Sequence, residues 1–185
     1  MSVAPRKPNR ASEEEYLAFE HPAATRHELV GGVIYAMVGG TDRHNLIFGN
    51  IALLHRDAPE TSQVFTAQTK LRVALADEVD YVSPDVCVAR VDDDRNRHYR
   101  EQPCLIVEAI SPSTEREDRR DKFLADARLP SLQEYVLVTQ DAPQVEIMRR
   151  RSACIPEFAF LQDQLRLESV DLSYSVTDFY RRIPF

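Results

Sequence analysis

The stretch Pro103–Thr114, PCLIVEAISPST, carries an acid inside an apolar run. Leu105, Ile106 and Val107, then Ala109 and Ile110, read as a strand buried on both faces, as at the centre of a covered sheet. Glu108 stands in the middle of it. An ionised carboxylate in such a setting costs several kcal/mol unless something compensates it. The capping box Thr114–Glu117 then opens a helix to about Ala127.

A second acid is placed in the same way. In YVSPDVCVAR, Tyr81–Arg90, Asp85 lies inside another strand that is apolar on both faces. A polar, basic loop from about Val91 to Gln102 joins the two strands. Pairing them as an antiparallel hairpin, with Arg90 facing Pro103, sets Asp85 opposite Glu108 on one face. Their Cβ atoms are then about 4.5–5.5 Å apart. A slip of one residue would separate them. Two opposed carboxylates repel, so a shared proton, a nearby Arg or Lys, or a bound cation must relieve them. Hard oxygen ligands suit Mg²⁺ or Mn²⁺. A buried ion pair between Glu108 and an Arg or Lys serves equally well on spacing alone. Pro84, just before Asp85, marks an edge or irregularity in the strand rather than a regular ladder position.

Other segments surround these two. SEEEYLAFE reads as a short helix capped by Ser12, and RHELVGGVIYAM as a hairpin turning at Gly31-Gly32. A helix from about Asp42 to Asp57 has Leu46, Ile47, Ile51, Leu53 and Leu54 on its apolar face, and Pro59 stops it. Strands follow at Gln63–Ala67 and Lys70–Ala74. After the Thr114 helix come strands at Glu134–Val138, Gln144–Arg150, Glu157–Leu161 and Gln164–Glu168, and TDFYRRI closes as a short helix. The pattern is mixed α/β (α+β), built on one sheet with helices against it. Residues 1–11 read as a loose, flexible tail and 12–185 as a single domain.

Composition narrows the function. The chain has 185 residues, 43% hydrophobic and 29% charged, an ordinary globular composition. No apolar run approaches the roughly 20 residues of a membrane helix, and the basic start lacks the apolar core of a secretory signal. Cys87, Cys104 and Cys154 are odd in number, lack C-x-x-C spacing and lie in or beside apolar segments. They read as reduced structural thiols of a cytoplasmic protein. The net charge of −7 argues against strong nonspecific nucleic-acid affinity but leaves room for a local basic patch. RNRHYR (Arg95–Arg100), DRRDK (Asp118–Lys122) and RRR (Arg149–Arg151) are candidates, and each also reads as a solvated surface run.

Lys122 falls on the expected helix after Glu108, four residues from Asp118. It reads as a surface pair or as a cation reaching the acid site. His44, at the start of the middle helix, could meet a phosphate at that helix N-terminus or serve as a polar residue near a helix end. Glu28, before the Gly31-Gly32 turn, is a further candidate acid, although hairpin strands carry such residues routinely. His27, His55 and His98 show no ligand spacing.

HELVGGVIYAM, HNLIFGNI, SPDVCVA, LIVEAISPST, DRRDK and SLQEYVLV, in this order, resemble the Uma family, a branch of the PD-(D/E)xK nuclease superfamily. The resemblance runs from about Ser12 to Tyr180, and SPDV with VEAISPST is its most specific part. It implies a restriction-endonuclease-like fold, a central mixed sheet flanked by helices, and metal-assisted hydrolysis of phosphodiester bonds, with DNA as partner. By that likeness Asp85 and Glu108 are the catalytic acids and, with the Ala109 carbonyl, hold Mg²⁺ or Mn²⁺. The superfamily places a lysine two residues after the second acid. Here that residue is Ile110, and the family's lysine on the next helix matches Lys122. Glu28 and His44 are additional site candidates, and Arg95, Arg97 and Arg100 would grip the nucleic-acid backbone. Duplex cleavage needs two active sites or two events, which makes a homodimer an expectation as well. The competing readings are a nuclease fold without catalysis, used for binding or interaction, and a hydrolase of a smaller phosphate ester.

Overall fold

The computed structural model describes residues 10–37, 39–52, 54–74, 78–91, 96, 98–111 and 128–185. The expected Thr114–Ala127 helix with Lys122, the loop residues Arg95 and Arg97, and the tail 1–9 lie outside them.

Helix α1 (Glu13–Glu20) starts at Ser12, whose hydroxyl and backbone form the two reciprocal bonds of a capping box with Glu15. Strands β1 (His27–Val30) and β2 (Val33–Ala36) form the expected hairpin. Its two-residue turn holds Gly31 and Gly32 at φ +56° and +77°, the left-handed pair that matches the twist of the flanking strands. Next come α2 (Asp42–Ile51) and α3 (Leu54–Asp57). The single helix expected over this stretch is therefore two, because α2 ends with Ala52 as its C-cap. Ile47, Ile51 and Leu54 are buried as expected, whereas Leu46 is exposed.

The remaining strands are β3 (Ser62–Thr66), β4 (Lys70–Ala74), β5 (Val79–Val82), β6 (Val86–Arg90), β7 (Tyr99–Arg100), β8 (Pro103–Ile110), β9 (Glu134–Thr139), β10 (Gln144–Arg149), β11 (Pro156–Phe160), β12 (Gln164–Leu167) and β13 (Leu172–Ser175). A short helix α4 (Val176–Phe179) follows, within the expected closing helix. The architecture is mixed α/β, with central mixed sheets flanked by helices. Two main sheets stand where one was expected: a five-stranded sheet in the order β2-β1-β5-β4-β7 and a six-stranded sheet in the order β11-β10-β9-β8-β6-β3. The six-stranded sheet is antiparallel except at β8–β9, and the five-stranded sheet except at β4–β7.

The cause of the two sheets is local. The segment expected as one strand, Tyr81–Arg90, is β5 in one sheet and β6 in the other, with Ser83-Pro84-Asp85 crossing between them. Pro84 has no N–H to give a ladder. The N–H of Ser83 donates to Glu28 Oε1 at 2.8 Å and that of Asp85 to Glu108 Oε2 at 3.1 Å. Side-chain carboxylates thus take the place of ladder carbonyls where the chain changes sheets. All three crossing residues are buried, so these bonds meet the requirement that buried backbone donors be paired.

Layers follow from alternation. One face of the six-stranded sheet presents Val86, Val88, Leu105, Val107 and Val136 to α2, α4 and the β12–β13 hairpin. The other presents Cys87, Ile106, Leu137 and Met148 to Leu71, Val73 and Val82 of the five-stranded sheet. Beyond that sheet, Tyr16 of α1 packs on Leu29 and Tyr81. The cysteines are free, with Cys87 and Cys104 buried. No helix among the described residues is long and apolar enough to cross a membrane.

The RRR run turns inward or onto neighbours. Arg149 is buried and donates to Glu134 Oε1 at 3.0 Å, to Glu157 and to the Arg166 carbonyl. Glu134, 2% exposed, also accepts from the N–H groups of Glu168 and Ser169 and from the Ser169 hydroxyl. Arg150 donates to the Leu132 and Leu129 carbonyls, and Arg151 pairs with Glu168. Glu134 thereby fastens the turn after β12 to the main sheet. Glu134→Ala leaves the Arg149 charge buried beside lost partners, and it is expected to cost about 3–5 kcal/mol in urea unfolding.

Asp80 on β5 accepts the Gly31 N–H at 2.8 Å. Burial pushes its carboxyl above the usual range, outweighing that hydrogen bond and the attraction of Arg128. A raised folded-state pKa means that the folded chain holds the proton more tightly than the unfolded one. This group then favours folding as pH falls through its folded pKa and opposes it above. Asp80→Asn retains an acceptor for Gly31 and removes the charge. Its melting temperature relative to wild type is expected to be higher at pH 7.5 than at pH 4, measured by circular dichroism.

Candidate active site

The expected pair is assembled at one end of the six-stranded sheet. Val86, Cys87 and Val88 face Val107, Ile106 and Leu105, the register that aligns Asp85 with Glu108. The expected Arg90–Pro103 pairing is absent. A bulge between Val88 and Ala89 brings Ala89 opposite Pro103 instead, where proline supplies no ladder N–H. Beyond Val86 the two acids close the ladder with their own side chains. Glu108 Oε2 accepts the Asp85 N–H, and Asp85 Oδ2 accepts the Ala109 N–H at 2.8 Å. Asp85 and Glu108 are 9% and 8% exposed.

His44 joins them from the first turn of α2. Its Nε2 lies 3.1 Å from Asp85 Oδ2. The N-cap Thr41 sets this turn, its hydroxyl accepting the His44 N–H at 3.1 Å. Gly40 lies against the imidazole so closely that a Cβ there would stand 2.5 Å from His44 Nδ1. Only glycine leaves the ring where it meets Asp85.

A cavity of about 520 Å³ opens over these groups, lined by Asp85, Glu108, Ala109, His44, Ser83 and Gln140 among others. Gln140 and Thr41 are the site residues that sequence reasoning missed. Gln140 follows β9, is buried, donates from Nε2 to the Ala109 carbonyl at 3.3 Å and accepts the Thr41 hydroxyl at 2.7 Å. A lone Gln after an apolar strand carries no sequence signal for this role.

The other candidates lie elsewhere. Glu28 is buried on β1 beneath the Ser83 N–H and does not line the cavity. Arg100 on β7 lines a separate groove, its guanidinium 4.2 Å over the Phe65 ring. Lys122, Arg95 and Arg97 lie outside the described residues.

The donor set is one of hard oxygens. Among the described residues, no three His, Cys, Asp or Glu side chains cluster as a metal centre. Mg²⁺, however, takes only one or two carboxylates and retains several waters. Both hydrogen bonds to the Asp85 carboxylate fall on Oδ2, so Oδ1 accepts none among the described residues. Asp85, Glu108 and the Ala109 carbonyl therefore fit a small divalent cation.

The family model described as "Putative restriction endonuclease", Uma2, matches residues 13–177. The chain is 32% identical over 181 residues to the Synechocystis protein slr1290, covering 95% of this chain and 94% of that protein. It is 27% identical over 164 residues to sll1609 of the same organism, covering 87% and 90%. Both relatives are described as uncharacterized. A solved structure described as a putative nuclease belonging to DUF820, from Anabaena variabilis, superposes with a TM-score of 0.70 over 90% of this chain and 96% of that one. At 15% identity this is a likeness of fold. The family match over most of the chain, with the restriction-endonuclease-like fold beside it, makes this protein a member of the Uma2 family.

Proposed function

We propose that the chain is a Mg²⁺- or Mn²⁺-dependent endonuclease that hydrolyses phosphodiester bonds of DNA. The observation that carries this reading is the juxtaposition of Asp85 and Glu108 at a cavity, Glu108 accepting the Asp85 N–H and Asp85 the Ala109 N–H. Asp85, Glu108 and the Ala109 carbonyl hold the cation. When bound, it supplies Lewis acidity towards a phosphate oxygen and towards water. The Ala109 N–H and His44 orient Asp85 through Oδ2, which leaves Oδ1 as the ligating oxygen. The lysine role falls to Lys122 by the family pattern, as charge stabiliser or water-orienting group. Arg95, Arg97 and Arg100 bind phosphates without reading bases. The protein acts in the cytoplasm as one domain over residues 12–185, and cleavage of both strands engages a homodimer.

A second reading has its own support. Both acids accept buried backbone N–H groups, and Ile110 stands where the superfamily has lysine. Such a pair holds the strand crossing with no cation at all, which suits a non-catalytic binding module.

Metal binding separates the two. Mn²⁺ at about 100 times its Kd is expected to stabilise the wild type by about 2.7 kcal/mol, read as a raised melting temperature, and to leave Asp85→Ala unmoved. Equal responses of the two proteins would leave the binding module as the better account.

The lysine is tested by turnover. Lys122→Ala is expected to keep the Mn²⁺ response and lose nicking of supercoiled DNA by about 100-fold or more, the scale of one transition-state charge partner. Nicking at the wild-type rate would remove Lys122 from the site. Hydrolysis of a small phosphate ester with no action on DNA would redirect the assignment to that substrate class.

A further inference from the structure

Gln140 is held at the site by its backbone as well as its side chain. Its N–H donates to the Ile110 carbonyl at 2.9 Å, continuing the β8–β9 ladder, and its carbonyl accepts Arg43 at 3.3 Å. The amide head is thus delivered to the end of β8, in the cavity that holds both acids, and is 5% exposed as a residue.

Its two side-chain bonds are unequal. The Thr41 hydroxyl donates to Oε1 at 2.7 Å, while Nε2 donates to the Ala109 carbonyl at 3.3 Å, beyond the usual N–H···O range. Oxygens bound to Mg²⁺ lie about 2.1 Å from the ion, so two neighbouring ligands at right angles stand about 3 Å apart. The Gln140 head atom therefore sits near ligand–ligand spacing from the Ala109 carbonyl, itself a member of the cation's donor set.

An amide presents a donor or an acceptor depending only on which way it is turned. The Thr41 hydroxyl suits both orientations, since it can donate to Oε1 or accept from Nε2. The Ala109 carbonyl does not. Facing it with Oε1 sets two oxygens against each other unless a cation lies between them.

We propose that Gln140 is a further cation ligand, engaged by turning its amide. Without a cation, Nε2 caps the Ala109 carbonyl. With one, Oε1 turns to the cation beside that carbonyl and Nε2 donates to Thr41. Thr41 is also the N-cap of α2, whose first turn carries His44. The amide therefore couples the state of the cation site to the helix that orients Asp85. This inference rests on the reading of Asp85 and Glu108 as a cation site.

The test uses the full-length protein and Mg²⁺ or Mn²⁺ alone, with no nucleic acid. In ¹⁵N-labelled wild type, the Gln140 side-chain NH₂ signals, assigned by their loss in Gln140→Met, are expected to shift on Mg²⁺ titration. In calorimetry, Gln140→Glu is expected to bind Mn²⁺ roughly 10-fold more tightly and Gln140→Met roughly 10-fold more weakly, the scale of one supporting partner at a metal. NH₂ signals that do not move on saturation, or Mn²⁺ affinities equal to wild type in both variants, would overturn the proposal. Asp85→Asn separates this from the underlying reading. If Asp85→Asn abolishes binding while the Gln140 variants retain wild-type affinity, Gln140 is a structural donor and the acid site stands. If the wild type binds no Mn²⁺, both fail together.

Discussion

The structure turns on the three residues Ser83, Pro84 and Asp85, through which the chain leaves one sheet and enters the other. A buried crossing cannot leave backbone donors unpaired, because each orphaned group costs about 1–3 kcal/mol. Proline removes one donor outright, and the carboxylates of Glu28 and Glu108 accept the other two. Glu28 belongs to the five-stranded sheet and Glu108 to the six-stranded sheet. Each sheet therefore grips the crossing with an acid of its own, which fixes where the two sheets meet.

That constraint places the candidate chemistry. Asp85 is the last residue of the crossing, so its direction follows from the bond that its N–H donates to Glu108. Asp85 returns the interaction to the next residue of β8 through Ala109. The two acids stay together because Glu108 accepts the N–H of Asp85 itself and Asp85 accepts the N–H of Ala109, the residue after Glu108. Such an arrangement holds like charges side by side in a fixed geometry, a useful property for a cation site and an expensive one without a compensating group. The first turn of α2 completes the rim, with His44 on Asp85 and Thr41 reaching Ala109 through Gln140.

Much of this was legible in the chain because the relevant signals are local. Ser12 marks a helix cap, Gly31-Gly32 a tight hairpin, and the apolar runs around Asp85 and Glu108 buried strands. An assumed hairpin register puts both acids on one face; the register holds from Val86 to Val88, although its starting pair, Arg90 with Pro103, is replaced by Ala89 with Pro103 across a bulge. The splitting of Tyr81–Arg90 was not legible. Pro84 announces an irregularity, but a bulge, an edge and a change of sheet look alike in one dimension. The RRR run reads as surface charge, yet Arg149 is buried, because its partner Glu134 lies on the adjacent strand and the rest of its bonds come from β11 and β12.

Local sequence was enough for most of the helices and strands, for the cap at Ser12 and the Gly31-Gly32 turn, and for two acids set among apolar runs, since these depend on neighbours within a few residues. Tertiary structure alone decided that there are two sheets, that Glu28 supports the crossing from outside the cavity, that Arg100 faces another groove, and that Gln140 and Thr41 belong to the site. Each of these rests on contacts between residues distant in the chain, such as Thr41 with Gln140 or Glu28 with Ser83. The physical reason is hydrogen-bond accounting: which side chain satisfies a given buried donor is set only when the sheets and helices have packed, and no local pattern encodes it.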